Sequence, residues 1–149
     1  MTSSTKPGEH SADGEGSPAE VLAETLADEL GRLAEGYRRL PQSKFGLRLE
    51  PYGDRAQAGH WLAAQVSTGA QGIERWDSPQ PPAWRDLPTL GVFALGDQIA
   101  VVGNDLMAAY RALKEPRETL IWTPGDGRVP AEKAMAAVLE STTALRKAL

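Results

Sequence analysis

Residues 90–113, LGVFALGDQIAVVGNDLMAAYRAL, decide how the fold of this chain is read. Residues 92–95 and 99–102 are short apolar runs, the second rich in β-branched side chains. Gly96-Asp97 lies between them, and a two-residue hairpin turn needs positive φ at its centre, which glycine supplies. Gly103 breaks the second run. Asn104 suits a helix N-cap, because its side-chain oxygen accepts from the free amides of a first turn. Asp105 adds negative charge at the positive end of that helix. Leu106, Met107, Ala109, Tyr110 and Leu113 then recur at helical spacing, and Pro116 bounds the helix. The stretch therefore predicts strand, tight turn, strand and capped helix. As a phosphate loop it falls short, since a dinucleotide fingerprint needs several glycines and residues 101–105 hold one.

Upstream, Ser17-Pro18-Ala19-Glu20 starts a helix. Ser17 caps, Pro18 takes the first helical position, and Glu20 completes a capping box. Leu26, Leu30, Leu33, Tyr37 and Leu40 alternate spacings of four and three, a short heptad seam that Pro41 ends. A sustained coiled coil wants about three to four heptads, so packing within its own domain is the favoured reading. The alternative is an association helix that presents Leu26, Leu30, Leu33 and Tyr37 to a partner. Residues 44–50 alternate, with Phe45, Leu47 and Leu49 on one side, as in a half-exposed strand. Asp54 with Gln57 forms a second capping box, opening a helix to about Arg75. Its inner stripe is Ala58, Leu62, Val66, Gly69, Ile73 and Trp76. Gly59, Gly69 and Gly72 weaken that helix intrinsically and permit close packing against a neighbour. Pro79, Pro81, Pro82 and Pro88 stiffen an extended connection that contains Trp84. Residues 119–123 read as a strand, 124–127 as a turn. Pro130 opens a last helix with Met135, Val138, Leu139, Thr142, Leu145 and Leu149 on one face.

This order predicts an α+β fold: a small mixed sheet of about four strands with helices, its six central elements matching a ferredoxin-like βαββαβ pattern between N- and C-terminal helices. One element fits badly, because that topology puts the first strand centrally and residues 44–50 are the most polar of the four. Residues 1–16 are rich in Ser, Thr, Gly and acid, with too few apolar side chains to offset ordering. They are expected to form a disordered acidic tail before a single domain at 17–149.

The net charge of −4 is uneven: residues 1–35 hold two basic and eight acidic side chains, the remainder fourteen and twelve. No basic footprint for nucleic acid emerges; Arg38, Arg39, Lys44 and Arg48 read as a solvated strip. The absence of cysteine removes disulfides, thiolate metal sites and a cysteine nucleophile, and fits a reducing, cytoplasmic setting. No apolar run approaches a membrane span. Arginine exceeds lysine and alanine abounds, which accords with a GC-rich bacterial genome.

Candidate chemistry is sparse. His60 lacks an HExxH or cysteine partner, so neither a metal nor a cofactor is expected. Trp61, Trp76, Trp84 and Trp122 outnumber the two phenylalanines. Trp122 reads as core. His60, Trp61, Trp84 and Arg85 form the candidate aromatic site for a ligand or partner. The first functional expectation is a non-catalytic protein acting through self-association or a protein partner. The alternative is a small-molecule binder or small enzyme with its pocket near His60, Trp61 and Trp84.

Overall fold

The computed structural model describes residues 16–149, which form four helices and two small antiparallel hairpins. Helix α1 spans Pro18–Arg39, α2 Arg55–Glu74, α3 Leu95–Ala112 and α4 Ala131–Ala148. Strand β1, Arg48–Leu49, pairs with β2, Gly53–Asp54; β3, Leu120–Thr123, pairs with β4, Gly127–Pro130. The tail expected at residues 1–16 lies, Gly16 apart, outside the described residues.

The four-stranded, ferredoxin-like expectation is overturned, and the deciding stretch is where it fails. Val92–Ala94 is one 3-10 turn and α3 begins at Leu95, so Gly96 and Asp97 belong to a helix. Leu95, Ile99, Val102, Leu106 and Tyr110 recur at four, three, four and four, and all are buried. This stripe runs unbroken through the supposed turn. The weak helix propensity of Ile and Val is a matter of tenths of a kcal/mol, against roughly 1.5–3 kcal/mol for burying each large side chain. Gly96 serves packing: a Cβ there would stand 2.6 Å from the Ala34 carbonyl oxygen of α1. Only glycine lets the two helices approach so closely. Asn104, read as a cap, sits exposed in mid-helix.

The strand expected at residues 44–50 is also mostly absent. Gln42–Lys44 is a 3-10 turn, Phe45 alone of the alternating set is buried, and Leu47 is exposed. The segment bonds instead to the start of α2, where Arg55 N donates to Leu47 O and Ala56 N to Phe45 O. β4 falls where a turn running directly into the last helix was expected.

The caps of α1 and α2 hold, but only α2 has the expected reciprocal box; at α1 the Glu20 side chain pairs with Arg111 instead. Ser17 Oγ accepts from Glu20 N at 3.2 Å with Pro18 in the first turn. Asp54 and Gln57 form a reciprocal box, Gln57 N donating to Asp54 Oδ1 at 2.8 Å and Asp54 N to Gln57 Oε1 at 2.9 Å.

Helix α1 packs on α3 and α4, and α2 packs on the same two, so α1 and α2 stand diagonally across a four-helix bundle. Gly96 lies against Ala34 and Arg38 while Arg111 pairs with Glu20, so α1 and α3 run antiparallel. Gly59 meets Leu95 and Gly69 meets Leu106, so α2 and α3 run parallel. A parallel pair joined in sequence needs a connection that travels back along the bundle. Residues 75–94 supply it, and their prolines keep it extended. Two buried glutamines pin it. Gln71 of α2 accepts from Arg85 N at 2.8 Å and donates to Arg85 O at 3.2 Å; Gln98 of α3 donates to Pro88 O at 2.7 Å.

Leu26, Leu30, Leu33 and Tyr37 all lie in the bundle core, between 0% and 3% exposed. Between α1 and α4, buried Glu29 accepts from Arg146 Nε at 2.7 Å and Thr143 Oγ1 at 2.9 Å. Helix α3 with its preceding turn is long and apolar enough to cross a membrane by length and composition, but its apolar stripe faces α1 and α2.

Candidate functional site

Of the four neighbouring helix pairs, α2 and α4 touch least. The β3–β4 hairpin sits at one end of the gap between them, with β3 against α2 and β4 against α4. Its seat on α2 is Gly72, whose Cα approaches the Trp122 backbone so closely that a Cβ would fall 2.0 Å from the Trp122 carbonyl oxygen. Two side-chain ties fix the hairpin: Trp122 Nε1 donates to Ser78 O at 3.2 Å, and Arg128 donates to Trp76 O while its guanidinium lies 4.6 Å from the Trp122 ring centre.

What remains open between α2 and α4 is a groove of about 410 Å³. Gly69, Met135 and Val138 line it from the helices, Ile121 and Val129 from the hairpin. Gly69 contributes by its smallness, since any longer side chain would project towards Leu106 and Met135. Trp61 and Trp122 supply aromatic walls. Trp61 is held by Tyr52, their ring centres 4.9 Å apart, and Tyr52 comes from the β1–β2 turn. Neutral polar groups are spread along the lining: Gln65 and Thr68 from α2, Thr123 from the hairpin, Ser141 from α4. Two charged residues complete it, Asp126 in the hairpin turn and Lys133 in the first turn of α4.

The four residues singled out from the sequence do not share this site. Trp61 lines the groove. His60 is half-buried and follows a different stripe of α2, in register with Ser67 and Gln71. Trp84 is half-buried in the crossover, and Arg85 meets Gln71 through its backbone while its side chain is exposed. Eleven residues separate His60 from Gln71, about three helical turns or roughly 16 Å along α2. Trp84 and Arg85 therefore stand well away from His60, and neither lines the groove. The Leu26, Leu30, Leu33 and Tyr37 face is enclosed by α3 and α4.

Sequence reading missed Trp122, Asp126 and Lys133. In the sequence Trp122 reads as core and Asp126 as part of a turn, and nothing singles out Lys133. Only the packing of the hairpin on α2 brings them into the groove that Trp61 also lines.

The groups with shifted pKa all lie elsewhere. Glu29 is held below its usual value by the Arg146 hydrogen bond, and Arg38 is raised by its bond to Asp97. Tyr37 and Tyr110 are raised by burial. None of these four lines the groove. Among the described residues, no three His, Asp or Glu side chains converge as a metal site. Comparison with protein-family models, curated proteins and solved structures yields no match to this chain.

Proposed function

We propose that this is a non-catalytic binding protein that takes a small molecule into the α2–α4 groove. The observation that carries the reading is the groove itself: a concavity of about 410 Å³ with Trp61 and Trp122 among its walls, an apolar lining and a few polar groups. Small-molecule sites occupy roughly 300–1,000 Å³ and share that composition. The separation of every pKa-shifted group from the groove supports binding rather than proton-transfer chemistry. The heptad seam, whose alternative reading was an association helix, is enclosed by α3 and α4.

The test is a thermal-shift screen against metabolites, repeated on Ala137→Trp, which fills the groove from its exposed lining. Stabilisation lost in Ala137→Trp and kept in Trp84→Ala supports the reading. Stabilisation that survives Ala137→Trp, or a screen with no hit, overturns it.

A second reading, association between copies of the chain, keeps one observation in its favour. Phe93 is 72% exposed and Val101 58%, on the outward side of α3 and its leading turn. Sedimentation at micromolar concentration tests it: a dimer dispersed by Phe93→Ser supports association, and a strict monomer refutes it.

A further inference from the structure

We propose that the groove selects an apolar zwitterion of the α-amino acid class, with Lys133 answering the carboxylate and Asp126 the ammonium. This rests on the small-molecule reading above. The lining carries one cation and one anion, and both come from the hairpin and the start of α4, at the same end of the groove. Among the described residues neither has an ion-pair partner within 4.0 Å, and they do not pair with each other. Eight ion pairs form elsewhere among the described residues, and the neighbouring Glu132 reaches Arg117 at 3.9 Å.

Local structure gives Lys133 no reason to be a cation. It occupies the first turn of α4, where the helix dipole favours the opposite sign. Asp126 stands at the tip of the hairpin turn, between Gly125 and Gly127, whose φ of +83° and +72° form that turn. An opposed pair of free charges beside an apolar lining matches a ligand with adjacent opposite charges and an apolar body. Trp122, Val129 and Val138, each partly exposed, would receive that body. A ligand bearing one charge leaves one of the two protein charges unanswered, which is the basis for discrimination.

The test uses L-phenylalanine, 3-phenylpropionate and phenethylamine, titrated calorimetrically into the full chain and three variants. L-Phenylalanine is expected to bind tightest. Lys133→Gln weakens L-phenylalanine and phenylpropionate about 2- to 5-fold, the range for exposed charge pairs, and leaves phenethylamine unchanged. Asp126→Asn does the converse. Ala137→Trp abolishes all binding. Equal affinity for the three probes, charge variants without effect, or no binding by any probe overturns the zwitterion assignment. Equal affinity that Ala137→Trp still abolishes leaves the small-molecule reading standing. Binding indifferent to Ala137→Trp overturns both. Both charge variants change exposed side chains, and unchanged melting temperatures confirm that they fold.

Discussion

Replacing Gly72 with alanine adds one methyl group at the point where the hairpin meets α2. The new Cβ would stand 2.0 Å from the Trp122 carbonyl oxygen and 3.1 Å from its carbon. Real Cβ contacts essentially never fall below 3.0 Å, so the hairpin must retreat by at least about 1 Å. The obstacle is backbone, which cannot swing aside as a side-chain tip can. Retreat disturbs the Trp122 bond to Ser78 and the packing of Ile121, which is fully buried. Overpacking costs about 1–3 kcal/mol, and backbone against backbone takes the upper end. Alanine returns about 1 kcal/mol through helix propensity. The net loss is about 2 kcal/mol, or about 6 °C in a domain of this size. Gly31→Ala is the matched control: the same methyl on α1 meets nothing within 4 Å and should gain up to about 1 kcal/mol. Urea unfolding followed by circular dichroism separates the two. A Gly72→Ala midpoint at or above that of the unmodified protein would refute the close seat of the hairpin.

Other outcomes follow from the same contacts. Glu29 is held below its ordinary pKa of 4.5 chiefly by Arg146, so its contribution is complete above about 4.5 and drains away as pH falls through the depressed value. Glu29→Gln should cost about 1.5 kcal/mol at neutral pH, from a charged hydrogen bond that is partly exposed on the Arg146 side, and should flatten the acid limb of a stability profile. Tyr37 behaves oppositely. Burial raises its pKa, so its contribution is intact below about 10 and declines as pH rises beyond it. Tyr37→Phe leaves the Arg55 carbonyl without its 2.6 Å donor and should cost about 1 kcal/mol, read by chemical denaturation. Gln71→Ala removes both side-chain bonds to the Arg85 backbone. Tryptic cleavage after Arg85 should then accelerate before global unfolding, and unchanged cleavage would show that the crossover is held by other means.

The start of each of α1 and α2 was legible because capping is local: Ser17 with Glu20, and Asp54 with Gln57, lie within four residues of each other. Gly96-Asp97 misled for the converse reason. A glycine placed for approach to Ala34 looks, in one dimension, like a glycine placed for a turn. A short apolar run reads equally as strand or helix. The better signal was the spacing of Leu95, Ile99, Val102, Leu106 and Tyr110, which a turn would have interrupted. For the groove, Trp61 was visible as an unusual aromatic beside an inner stripe. Trp122 and Lys133 acquired meaning only through the Gly72 contact, a tertiary fact with no periodicity of its own.

The Glu29–Arg146 bond joins residues 117 apart in sequence. During synthesis on a ribosome, α1 emerges first and its companion α4 last. The Leu26–Leu33 flank of α1 therefore waits until α2 and α3 have been made before one of the two helices that enclose it exists. A chain cut short before α4 would keep that flank bare and be prone to aggregation. The seam that reads like a partner surface is one until α4 is made, and that helix retires it.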